Sequence, residues 1–129
     1  MAVSIARDIL RTLFDAAMAT PDREICGLLF GSADRIDRAQ PAENVADRPE
    51  DTFEIGPRAL FAALRAERAG GERLIGHYHS HPNGSAAPSP RDLAAAEAGK
   101  LWLILGGGDA RLWIMENGGF RELQLVVGD

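Results

Sequence analysis

An α/β domain, built as one mixed β-sheet with helices on its faces, is the fold this sequence predicts, and three observations predict it. Helix-spaced and strand-length apolar segments alternate from the N-terminus to about Ala98. After Lys100, strand signals follow one another with no helix between them. At the junction, Leu101-Trp102-Leu103-Ile104-Leu105 is a continuous apolar run of strand length, the pattern of a strand covered on both faces. With 129 residues, of which 46% are hydrophobic and 26% charged, the chain is expected to form a single domain over residues 1–129 with its own core.

Each element has a local reason. Residues 2 to 5 read as a short strand. Ile9, Leu10, Leu13, Phe14, Ala17 and Met18 then recur at helical spacing, and this helix should end near Thr20, before Pro21, with its apolar face in the core. Glu24 to Gly31 reads as a buried strand, Ser32-Ala33-Asp34 as a turn, and Arg35 to about Ala39 as the polar partner strand of a hairpin. Residues 41–52 are polar, acid-rich and interrupted by Pro41 and Pro49, hence a loop. Gly56-Pro57 opens a helix carrying Leu60, Phe61 and Leu64, which Gly70-Gly71 stops. Arg73 to Ser80 is a strand, ended at Pro82, which has no backbone donor to offer. Ser89-Pro90-Arg91-Asp92 carries the marks of a helix start, with Ser89 at N-cap, Pro90 at N1 and Asp92 at N3, and the helix should run to about Ala98. Beyond the apolar run, Gly106-Gly107-Gly108-Asp109 is a turn rather than a phosphate loop, because no helix opens after it. Arg111 to Glu116 and Phe120 to Val127, joined through Asn117-Gly118, complete an antiparallel meander.

Composition narrows the function. The formal charge of −5 argues against non-specific binding to a nucleic-acid backbone. A single cysteine excludes an intramolecular disulfide framework. Cys26 itself sits in an apolar run, where a free thiol behaves as a small hydrophobe rather than a nucleophile. The segment MAVSIARDIL lacks the uninterrupted apolar stretch of a secretion signal, and no run is long enough to span a bilayer, so a cytoplasmic protein with no membrane partner is expected.

The chemistry concentrates in residues 76–92, GHYHSHPNGSAAPSPRD. His79 and His81 are two apart, so on a strand both imidazoles face the same way, with Cα atoms roughly 6.6 Å apart. Asp92, fixed in the first turn of the following helix, is available as a third ligand. Two neutral imidazoles and one carboxylate leave a fourth position open on a tetrahedral zinc, the arrangement of a catalytic site. Glu24, at the start of an apolar strand that could lie beside the His79 strand, is the candidate general base. His77 shares the parity of the pair, but its Cα would lie roughly 13 Å from that of His81 on an extended strand, too far for one ion. A facial triad holding Fe(II) uses the same donor types but would leave Glu24 without a role.

These residues, taken together, resemble the JAMM (MPN+, JAB-domain, Mov34-type) metalloprotease family. The family pattern is an upstream Glu, then His-x-His-Pro, with seven residues between the second His and a Ser, and Asp three positions on; here it is met by Glu24, His79-Ser80-His81-Pro82, Ser89 and Asp92. The EICGLLFG stretch and Phe53-Glu54-Ile55 to Pro57 also match, so the likeness covers most of the chain. It implies a cytidine-deaminase-like fold in which His79, His81 and Asp92 bind Zn2+, Glu24 is the acid and base, and Ser89 helps hold the oxyanion. It also implies a compact prokaryotic type that hydrolyses an amide bond after the C-terminal Gly-Gly of a ubiquitin-like or sulfur-carrier protein. Loop 41–52 would border the groove for the substrate tail, making Asn44, Asp47, Glu50 and Asp51 candidates for contact with it. The alternative is a non-catalytic scaffold of the same fold, against which the intact ligand set argues.

Overall fold

In the computed structural model, which describes residues 2–128, the elements run β1 (Ala2–Ala6), α1 (Arg7–Ala19), β2 (Cys26–Ser32), β3 (Arg35–Ala42), α2 (Pro57–Arg68), β4 (Leu74–His81), α3 (Pro90–Ala95), β5 (Leu101–Gly106), β6 (Asp109–Glu116) and β7 (Gly119–Gly128). The α/β fold with a mixed sheet is as expected, and the sheet goes further by closing into a barrel in the order β1-β3-β2-β4-β5-β6-β7. Closure comes from β1, which pairs in parallel with both β3 and β7. The other parallel pair is β4–β5, and the remaining neighbours are antiparallel. No described helix is long and apolar enough to cross a membrane.

Strand parity divides the side chains. Leu101, Leu103 and Leu105 of β5 join Val3, Ile5, Leu29, Tyr78 and Leu112 in the main core, against which Leu13 of α1 packs. Each such residue, fully buried, contributes roughly 1.5–3 kcal/mol. Trp102, of opposite parity on β5, instead meets His77 and His79 of β4. A second cluster joins Leu28, Phe30 and Leu74 to Ala63 and Leu60 of α2. The barrel thereby carries a polar, aromatic site on one side and a continuous hydrocarbon core on the other.

Several expectations change. Met18, placed on the core face of the first helix, is 79% exposed and does not lie in the core; Phe61 on α2 is 62% exposed. Both helices lie on the outside of the barrel and turn a narrower stripe inward than their apolar spacing suggests. Strand β2 begins at Cys26, not Glu24, because the Glu24 backbone bonds to loop 43–52 instead of a strand ladder: its N–H donates to Pro49 O (2.7 Å) and its carbonyl accepts from Asn44 Nδ2 (2.9 Å). Helix α3 stops at Ala95 because Ala96 turns to extended geometry, and the Gly99 N–H goes to Met115 O (3.1 Å), drawing the chain towards β6.

Candidate metal centre

The site is assembled from three local structures. Strand β4 presents His79 and His81 on one face, as its two-residue repeat requires. Helix α3 opens with a reciprocal capping box: Ser89 Oγ accepts the Asp92 N–H (3.1 Å), and Asp92 Oδ2 accepts the Ser89 N–H (2.9 Å). The cap that starts the helix therefore also fixes the carboxylate. Antiparallel pairing of β2 with β4 sets Cys26 opposite His79, bringing the residues just before β2 to the same end. There Glu24, only 5% exposed, enters the site.

His79 Nε2, His81 Nε2 and Asp92 Oδ2 form a nearly equilateral triangle: 3.0 Å between the nitrogens, and 3.2 and 3.1 Å from each to the carboxylate oxygen. Hydrogen bonds explain this convergence poorly. The His81 Nδ1–H donates to Ser85 O (2.8 Å), and since a carbonyl only accepts, the ring in its neutral form would turn its lone pair at Nε2 towards the other two atoms. An ion bound at ~2.0–2.1 Å to nitrogen and oxygen would hold tetrahedral neighbours roughly 3.3 Å apart, close to the observed spacing. The triangle therefore fits a metal ion. One Glu24 carboxylate oxygen also lies within 4.8 Å of ring nitrogens of His79 and His81, close enough to reach a water beside that ion.

Protonation of Asp92 and His79 agrees with this reading, whereas His81 is raised, against its burial, by its hydrogen bonds to Asp92 and Ser85 and would give up a proton on binding metal. Burial alone would raise the Asp92 carboxyl, but hydrogen bonds with His79 and His81 and from the Ser89 N–H hold it well below the usual carboxylate range. Burial pushes His79 down, so its ring is kept neutral against the pull of Asp92. Both are the states a metal needs in its ligands. Glu24 behaves differently: burial, with Asp92 and Asp51 adding to it and His81 opposing, pushes its carboxyl up to about 7. Its Oε1 is buried with no hydrogen-bond partner, leaving it free to take a proton.

The surroundings hold the rings. A side chain at Gly106 would bring its Cβ to 2.7 Å from the Ser85 carbonyl, so glycine there lets the 83–88 loop close over β5 and Ser85 reach His81. Phe53 stacks on His79, with centroids 4.2 Å apart and planes 20° apart, and Trp102 meets the same ring edge-on. Metal-binding imidazoles are usually steered by a hydrogen bond at the second nitrogen. His79 Nδ1 has no such partner, and stacking by Phe53 takes that role. Phe53→Ala is expected to weaken metal affinity about 10- to 100-fold without unfolding the protein, measured by competition with a chromogenic chelator.

All five residues singled out by sequence, Glu24, His79, His81, Ser89 and Asp92, thus meet at one site. His77 does not join them; it packs on Trp102 (4.3 Å), and burial pushes its ring down to about 3. Burial likewise pushes the Cys26 thiol up to about 12, the state of an inert cysteine. Asn44 is not poised for substrate, because its amide is fully engaged by Glu24 O, Thr52 O and the N–H groups of Ala46 and Glu54. Asp51 and Glu50 pair with Arg48, and Asp51 also reaches Arg91 (3.3 Å) beside Asp92. In the sequence Phe53 belongs to a family-like segment before a helix, with no role marked for it; its contact with His79 spans 26 residues of chain, and no local period reports it.

Known proteins resemble this chain. Residues 6–117 match the family model of prokaryotic homologs of the JAB domain. The desampylase of Haloferax volcanii is 36% identical over 128 residues, covering 95% of this chain and 91% of that protein. A probable TtuB-protein conjugate cleaving protease of Thermus thermophilus is 36% identical over 105 residues, covering 81% of this chain and 69% of that protein. The fold is shared with a JAB1/MPN domain protein from Archaeoglobus fulgidus at a TM-score of 0.64 and 25% identity, over 99% of this chain and 98% of that one. On its residues, its fold and these likenesses, the chain belongs to the prokaryotic homologs of the JAB domain, within the JAMM/MPN+ family.

Proposed function

We propose that this protein is a zinc-dependent isopeptidase that hydrolyses the amide bond after the C-terminal Gly-Gly of a ubiquitin-like or sulfur-carrier protein, with His79, His81 and Asp92 as metal ligands. The observation that carries it is the buried Glu24 carboxylate, unpartnered at Oε1, beside a triangle of three converging donors. When bound, zinc supplies Lewis acidity that acidifies water and polarises a carbonyl. Glu24 takes the proton of the attacking water and returns it to the leaving amine, the dual use for which a carboxyl poised near neutrality is suited. Ser89 Oγ accepts from the Asp92 N–H, which leaves its own hydrogen free to donate to the developing oxyanion. The relatives named for desampylation and for cleaving TtuB–protein conjugates support a protein conjugate as the substrate class. A pure scaffold has no use for such a donor set.

The test is mass spectrometry of zinc-loaded protein with a ubiquitin-like carrier joined past its Gly-Gly to a lysine side chain, and with the same carrier extended linearly. Cleavage after Gly-Gly, lost in Glu24→Gln, is the expected result. Intact substrates despite stoichiometric bound zinc would overturn the assignment, as would predominantly iron content with oxygen-dependent turnover.

A further inference from the structure

Glu24 has its carboxylate in the site but its backbone outside the barrel ladder, so something other than a strand must keep it in place. Its neighbour is well tied: the Ile25 N–H donates to Ser80 Oγ (2.9 Å), and the Ser80 N–H donates to Ile25 O (3.0 Å), linking residue 25 to the residue between His79 and His81. Residue 24 itself is held by loop 43–56, through Pro49 O and Asn44 Nδ2.

Asn44 is the hub of that loop. Its Nδ2 donates to Glu24 O (2.9 Å) and Thr52 O (3.0 Å), and its Oδ1 accepts from the N–H groups of Ala46 and Glu54 (3.1 Å each). Two carbonyls can only accept and two N–H groups only donate, so the amide has one orientation and all four of its bonds are used. The same loop carries Phe53 onto His79 and Asp51 onto Arg91. A buried carboxylate without a partner at Oε1 gains by swinging towards water, and a free backbone would let it do so.

We infer that Asn44 is a positioning residue, which holds the Glu24 carboxylate beside the His79–His81–Asp92 triangle by anchoring the Glu24 carbonyl. The inference rests on Glu24 being the base proposed above. Asn44→Asp separates its two tasks: the carboxylate still accepts from Ala46 and Glu54, keeping the loop folded, but cannot donate to Glu24 O or Thr52 O. Asn44→Ala removes all four bonds.

The experiment measures kcat, KM and bound zinc for the two variants, together with amide hydrogen exchange at Glu24 in the full chain. Asn44→Asp is expected to lower kcat about 10- to 100-fold with KM and zinc content within about twofold. Exchange at the Glu24 amide should rise at least about tenfold while that at His79 stays unchanged. Adding Asn44→Asp to Glu24→Gln should leave the residual rate as it is, whereas a general structural defect would lower it further. Unchanged kcat in both Asn44 variants, with Glu24→Gln inactive, overturns the inference and leaves the proposed function standing. A wild-type protein that cleaves no conjugate sinks the proposed function instead, and unchanged exchange at Glu24 then rejects the anchor as well.

Discussion

Glu24→Gln is expected to lower kcat by about 10²–10⁴ while leaving zinc content and KM near wild type, the usual worth of a positioned acid and base. The variant keeps the shape of the side chain and removes only its ability to carry a proton. Activity of the wild type should rise with pH through the Glu24 titration, since the base works ionised. Without metal that carboxyl is pushed up to about 7 by burial. A bound cation beside it favours the charged form, so the acid limb of kcat/KM should fall below that value and vanish in the variant. Stability should move the other way. A carboxyl raised from 4.5 to about 7 on folding gives stability that is fully present below 4.5 and lost as pH rises through 7. Metal-free Glu24→Gln should therefore match wild type at pH 4 and exceed it at pH 8, by on the order of 3 kcal/mol. Chemical denaturation of both proteins at the two pH values checks the sign; a less stable variant at pH 8 would mean that Glu24 is held by favourable contacts rather than strained for use.

Asp92→Ala is expected to abolish stoichiometric zinc binding and to lower activity by about 10³-fold or more, because it removes a charged donor from a triangle of three. It also removes half of the capping box, costing about 1 kcal/mol at the start of α3. Asp92→Asn separates the two losses. Its carbonyl oxygen can still accept the Ser89 N–H, keeping the helix start, while the neutral amide is a poor metal ligand. The expected result is a metal-free protein that keeps the start of α3 but is less stable than wild type at neutral pH, because the ionised carboxylate is lost, with zinc content reduced as far as in the alanine variant. Zinc binding by Asp92→Asn at wild-type affinity would remove Asp92 from the ligand set. The metal-free wild type gains its own prediction from the same contacts. The ionised Asp92, held below the carboxylate range, contributes stability present at neutral pH and lost as the solution is acidified.

What could be read in sequence was what one element decides for itself. The two-residue repeat of a strand set His79 and His81 on one face, and Ser-Pro-x-Asp marked both a helix start and the place of Asp92. The alternation of elements identified the sheet and helices, and the family pattern singled out Glu24 and Ser89. Local period says nothing about where separate elements meet. That β1 pairs with β3 and β7 and closes the sheet joins the two ends of the chain, a contact with no signature in either segment. Met18 and Phe61 fit a helical stripe yet are exposed, because how much of that stripe is buried depends on what packs against it. Most of all, the path of loop 43–56 decided what the sequence left open. It takes Asn44 to the Glu24 carbonyl and Phe53 to the His79 ring, contacts made across 20 and 26 residues of chain by hydrogen bonds and stacking that only a folded loop can align. The residue types for a candidate metal centre were thus legible along the chain; how Glu24 and the His79 ring are held was decided by tertiary packing.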